Sequence, residues 1–186
     1  MLVICGLGNI GAEYLNTRHN VGFLALDLIA AKESVSFKKG PKFNCEIGEC
    51  NINNTDLFLV KPTTFMNNSG LCISKIMQYY KIPLEKLIVI HDDLDVELGK
   101  MKTKFGGGNA GHNGIKSIDS FVGKDYWRIR LGIGKAIHRD DVIGYVLGKF
   151  SLIEREQLDA VLGIIIENLD SITKLDQESS ILKIEK

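Results

Sequence analysis

The stretch LIVIHDDLD, Leu87 to Asp95, runs apolar for four residues and then turns polar with no glycine or proline between. A short run rich in Ile and Val reads as a strand covered on both faces, as in a parallel sheet between helices. It delivers His91, Asp92, Asp93 and Asp95 at its carboxyl end. Open α/β sheets place their ligand sites beyond that end.

The flanking sequence supports the same class. Leu2–Cys5 is a second apolar run, followed by GLGNIG (Gly6–Gly11). Val21, Leu24, Ala25, Leu28 and Ile29 recur at helical spacing, with Thr17 as a candidate cap. Strands are predicted around 43–50 and 56–60, and a helix from about 68 to 80 that ends before Pro83. Lys100–Phe105 reads as an exposed strand that leads into GGGNAGHNG (106–114). A helix near 115–121 and an alternating strand over 127–133 follow. Ser151 caps a long helix predicted over 152–172, with Glu154 in its first turn. The expectation is a single domain over residues 1–186, a three-layer α/β/α fold with a mixed, mostly parallel central sheet and an antiparallel edge. GLGNIG, KPTTFMNNSG (61–70), HDDLD (91–95) and GGGNAGHNG then share one rim.

Composition narrows the class. The 186 residues are 45% hydrophobic and 25% charged, as in a globular protein with a substantial core. No apolar run approaches the ~20 residues of a membrane span, and Leu2–Cys5 is too short for a signal-peptide core; the expected location is the cytoplasm. The four cysteines lack metal or redox spacing and read as reduced thiols. Net charge is zero but uneven: residues 98–139 carry nine basic and two acidic side chains, a balance of +7, and residues 151–186 carry −4. That asymmetry points to a local anionic partner.

GLGNIG has the G-x-G-x-x-G spacing of a dinucleotide-binding turn. Such a turn needs a helix starting at the glycines, with a ribose-binding acid ~20 residues on. Here the helical pattern starts late and Asp27 falls mid-helix. The turn instead presents Asn9, Tyr14 and His19 to the rim. With Asp92 and the amides Asn67 and Asn113, these side chains suit water-mediated acyl transfer. A histidine oriented by a carboxylate takes a proton from water, and amides meet a developing oxyanion. No metal and no cofactor are called for, and no nucleophile motif is present.

GLGNIGAEYLNTRHNVG, KPTTFMNNSG, HDDLD and GGGNAGHNGIKSI, in this order, closely resemble the bacterial-type peptidyl-tRNA hydrolases. The resemblance runs from Leu2 to about Phe150. It implies a monomeric α/β/α enzyme that cleaves the ester between a peptide and the 3′ end of tRNA, recycling tRNA released prematurely from ribosomes. It assigns His19 as base and Asp92 as its orienting carboxylate. Asn9 and Asn67 position substrate and water, Asn113 contacts the peptide backbone, and Tyr14 and Met66 line the cleft. Lys104, Arg128 and Arg130 are the implied tRNA contacts. Three positions depart from the family pattern: Ile10 replaces a proline, and Asn109 and Ala110 replace a histidine and a glycine. Two rivals are an RNA-binding relative without catalysis and a nucleotide-dependent oxidoreductase.

Overall fold

The computed structural model describes residues 1–136 and 141–174; Arg139 of the basic segment lies outside them. Seven strands form one sheet: β1 (Leu2–Gly6), β2 (Lys38–Gly40), β3 (Cys45–Ile52), β4 (Thr55–Pro62), β5 (Leu87–Asp93), β6 (Met101–Phe105) and β7 (Trp127–Gly132). Their order is β2-β3-β4-β1-β5-β7-β6. The central strands β4, β1, β5 and β7 are parallel. Both edges are antiparallel, β6 on β7 and the β2–β3 hairpin on β4. Among the described residues six α-helices accompany the sheet: α1 (Val21–Lys32), α2 (Ser69–Tyr80), α3 (Asn113–Val122), α4 (Val142–Leu147), α5 (Leu152–Glu167) and α6 (Leu169–Ile172).

Strand alternation sorts the core into two layers. Ile4, Leu59, Ile88, Ile90 and Ile129 pack with α1 and α5 on one face. Val3, Val60, Leu87 and Val89 pack with α2 and α3 on the other. All seven residues of β5 are buried, as its unbroken apolar start predicts. The glycines after β1 serve this packing. A Cβ on Gly6 would lie 2.2 Å from Gly22 O, and one on Gly22 would lie 2.3 Å from Leu7 N and 2.4 Å from Ile90 O. GLGNIG is therefore a close-packing device between β1 and α1, not the start of a helix facing a pyrophosphate.

Three expectations need correction. The predicted helix over 152–172 breaks at Asn168, whose amide donates to Ile164 O and whose backbone leaves helical geometry. Thr17 does not cap α1; its hydroxyl donates to Tyr14 O, and Asn20 precedes α1 instead. The edge strand β2 was not predicted, because Lys38–Gly40 is too short and polar to show alternation. Ser151 forms the full capping box with Glu154. The cysteines are free thiols; Cys5, Cys45 and Cys72 are buried, and burial pushes Cys5 and Cys50 above the ordinary thiol range. Among the described residues no helix is long and apolar enough to cross a membrane.

Candidate active site

Four segments meet beyond the carboxyl ends of β1 and β5. The first is Arg18–Asn20, a single 3-10 turn running into α1. Its flanking residues fix the segment from both sides. The Arg18 guanidinium donates to Lys149 O at 3.1 Å and to Glu154 at 2.7 Å, and it lies over the Tyr145 ring. The Asn20 side chain accepts from Asn9 N and donates to Asn9 O, both at 2.9 Å. Between them His19 is held in a buried position.

Asp92, the sixth residue of β5, receives it. His19 Nδ1 lies 2.9 and 3.0 Å from the two carboxylate oxygens. A carboxylate only accepts, so Nδ1 carries a proton, and in the neutral ring the lone pair is then on Nε2. His112 approaches from the other side, with Nε2 2.9 Å from Asp92 Oδ1. Its Nδ1 accepts from Gly114 N and Ile115 N at 3.1 and 3.2 Å, capping α3. Burial pushes the Asp92 carboxyl up, but its interactions with His112 and His19 outweigh it and hold the group far below the usual carboxylate range. Asp92 is a permanent buried anion between two imidazoles.

Asn9 adds the next element. Its Oδ1 accepts from Met66 N at 2.8 Å, and its backbone is clamped by Asn20. With the oxygen occupied, the amide presents its NH₂ as the remaining polar group. Met66 is buried, and a Cβ on Gly114 would sit 2.5 Å from its Sδ. The Met66 turn and the start of α3 therefore touch only because residue 114 lacks a side chain. Asn113 lines the edge of the cavity and is exposed, Asn67 is exposed in the turn after Met66, and Tyr14 is half-buried. A cavity of about 340 Å³ extends from His19, Asp92 and His112 past Gly111 and Asn113 to Val142, Ile143 and Val146 of α4.

His19, Asp92 and His112 offer donor atoms within 4.8 Å of one another, the kind of set that holds a metal ion. The capping bonds argue against that use. Metal-bound imidazoles donate their remote N–H to an acceptor, whereas the remote nitrogen of His112 itself accepts two backbone N–H groups. Binding through Nε2 would require an imidazolate. The set is built for protons.

A second hollow of about 330 Å³ adjoins this cavity at Asp93, Asp95 and Ala110 and is lined also by His91, Lys104, Arg128 and Arg130. Arg130 Nε donates to Asp93 Oδ2 at 2.6 Å. Burial raises the Asp93 carboxyl, and Arg130 with the Asp95 N–H brings it below its ordinary value. Lys104 is exposed at the edge. Arg128 is not placed as the resemblance implied. It is buried, donating to Gly107 O, Gly108 O and Asp119 Oδ1 at 3.1, 2.8 and 2.9 Å. Those bonds commit both terminal nitrogens of the guanidinium to the 106–112 loop and to Asp119.

Sequence reasoning missed His112, Asn20 and Arg18. GHNG ahead of a helix, and the polar residues on both sides of His19, were the available signals. The departures from the family pattern also find a place. Asn109 Oδ1 accepts from Gly111 N at 3.1 Å, Ala110 has φ 48°, and Ile10 is exposed.

Comparison with known proteins gives one answer. Residues 3–186 match the family model described as Peptidyl-tRNA hydrolase. The chain is 50% identical over 182 residues to a peptidyl-tRNA hydrolase of Rickettsia bellii, covering 97% of this chain and 98% of that one. It is 46% identical over 176 residues to that of Aliarcobacter butzleri, at 95% and 94% coverage. The crystal structure of peptidyl-tRNA hydrolase from Acinetobacter baumannii superposes with a TM-score of 0.91 at 36% identity, covering 94% of this chain and 89% of that one.

Proposed function

The chain belongs to the peptidyl-tRNA hydrolase family, and from that premise we propose that His19 and Asp92 drive water onto the ester joining peptide to tRNA. The protein is an enzyme, a hydrolase of peptidyl-tRNA. The observation that carries the mechanism is the bond from His19 Nδ1 to both oxygens of Asp92. His19 Nε2 takes the proton of the attacking water, and Asp92 stabilises the imidazolium that forms. The free NH₂ of Asn9 donates to the oxyanion, since its oxygen is already held by Met66 N. Asn9 thus suits that role better than the exposed Asn67.

Asn67 and Asn113 bind the blocked amide of the peptide, so that free aminoacyl-tRNA leaves their polar groups poorly paired. Tyr14 and Met66 border the same cleft. Lys104 and Arg130 neutralise phosphates of the acceptor arm, and Arg128 supports them through the loop. One domain acts as a monomer in the cytoplasm, with no obligate protein partner.

The test is hydrolysis of N-acetyl-aminoacyl-tRNA beside its unblocked counterpart, by wild type and His19→Ala. Wild type cleaves the blocked substrate alone, and the variant loses about 10²–10⁴ in turnover while binding tRNA normally. A variant with near-normal turnover refutes the assignment. Binding without cleavage by wild type would favour a purely RNA-binding protein.

A further inference from the structure

We propose that His112 is a positioning residue for this hydrolysis: locked neutral in one tautomer by its capping bonds, it fixes the Asp92 carboxylate and tempers its pull on His19. The inference rests on the roles of His19 and Asp92 given above.

The tautomer follows from hydrogen-bond accounting. Backbone N–H groups can only donate, so His112 Nδ1, facing Gly114 N and Ile115 N, must hold a lone pair. The proton is therefore on Nε2, which donates to Asp92 Oδ1. A second proton on the ring would cost both capping bonds. Asp92 accepts from imidazoles on two sides, so its carboxylate has no freedom to swing away from His19. The side chains of all three residues are at most 10% exposed.

The same accounting confines the catalytic proton. Three imidazoles lie close together: the His112 ring is 4.8 Å from that of His19 and 5.0 Å from that of His91. His91 Nδ1 donates to Asp92 O at 2.7 Å, and its Nε2 has no partner among the described residues. The other carboxylates at this end are Asp93, committed to Arg130, and Asp95, which lines the same cavity beyond the end of β5. Of the two rings on the Asp92 carboxylate, only His19 has a free lone pair toward the cleft. A donor on Oδ1 also draws off part of the carboxylate charge that would otherwise favour an already protonated, inactive His19. Because His112 caps α3, it ties the helix start that carries Asn113 to the catalytic carboxylate.

His112→Asn separates these functions, since asparagine is a good cap but is too short to reach Asp92. The expected result is a melting temperature close to wild type and a turnover down about 10–100-fold, as for lost outer hydrogen bonds to site ligands. The acid limb of the kcat/KM pH profile should move to higher pH, with KM little changed. Wild-type turnover, or lower turnover with an unmoved acid limb, overturns the proposal, the latter leaving His112 a structural cap alone. Should the variant not fold, imidazole ¹⁵N shifts of the wild-type protein decide. A protonated Nε2 and bare Nδ1 on His112 support the proposal, and the reverse tautomer overturns it. His19→Ala in the same assay keeps the two readings apart: its failure to lose activity indicts the base, not His112.

Discussion

Asp92 and Asp93 stand side by side at the end of β5, and the strand's pleat turns them to opposite faces of the sheet. Asp92 meets two imidazoles and no permanent cation. Asp93 meets the Arg130 guanidinium. A carboxylate held by neutral donors keeps its charge available for an imidazolium that forms only during the reaction. One already paired to arginine has its charge spent, and serves to place that arginine. One face of the strand therefore handles protons and the other handles charge, with a single peptide unit between them.

The sharpest way to break this contrast is to remove each charge in turn. Asp92→Asn should cut kcat by about 10³–10⁴, because the amide favours the wrong ring tautomer in the way known for a catalytic triad. Asp93→Asn should lower kcat less than tenfold. Equal losses in a single-turnover assay would mean that the two faces do not divide the work.

The basic face can be divided in the same way. Arg128→Ala should destabilise the fold by about 3–5 kcal/mol, because it leaves the buried Asp119 carboxylate without its cation, with the Tyr126 hydroxyl as its remaining donor. The salt dependence of tRNA binding should be unchanged. Lys104→Ala should leave urea stability within about 0.5 kcal/mol and shallow the slope of log K against log salt by about one. A shallower slope for Arg128→Ala would return that residue to the list of phosphate contacts.

His91 shares the hollow with Arg130 and gives the contrast a pH signature. Burial pushes its imidazole down to about 3. Unfolded, it titrates near ~6.5, so the unfolded chain binds the extra proton throughout the window between, and stability falls as pH falls. Asp92 and Asp93, both depressed, contribute above the unfolded carboxylate value of ~3.9 and lose that contribution only below it. From pH 7 to 5 their contributions are constant. Urea unfolding across that interval should show wild type losing about 2 kcal/mol more than His91→Gln. Parallel behaviour of the two proteins would show that the buried ring takes up its proton without unfolding.

Much of this was legible in the sequence for identifiable reasons. The central strands announced themselves as apolar runs, and Ser151-x-x-Glu154 fixed the start of α5. The base and its carboxylate were read from the polar residues of the rim and their roles from motif resemblance, and parity along β5 supplies a physical reason for choosing between the aspartates. Ile88, Ile90 and Asp92 share the face that α1 covers, and α1 is the helix that His19 leads into. Hydrogen bonds between distant segments left less trace. GHNG ahead of a helix hints at a cap, but nothing in it says that its histidine will also reach Asp92, and a basic run cannot show that Arg128 turns inward while Lys104 turns out. Those outcomes depend on which partner lies across the sheet.

The smallest effect concerns the loop between the two faces. Ala110 has φ 48°, beside Gly111 at φ 79°, where a side chain costs about 1–2 kcal/mol relative to glycine. Ala110→Gly relieves that strain but gives the unfolded chain more freedom, which returns about 0.4–1 kcal/mol. The net gain should lie between zero and about 1.6 kcal/mol, at most about 6 °C in melting temperature for a chain of this size. Asn109 holds both ends of the turn, through Gly111 N and His112 N. The loop therefore keeps its shape without the alanine, and kcat should stay within about twofold. A gain in stability with a larger loss of kcat would mean that stiffness at residue 110 helps to hold His112 against Asp92. A fall in melting temperature would mean that the methyl group makes contacts worth more than its strain.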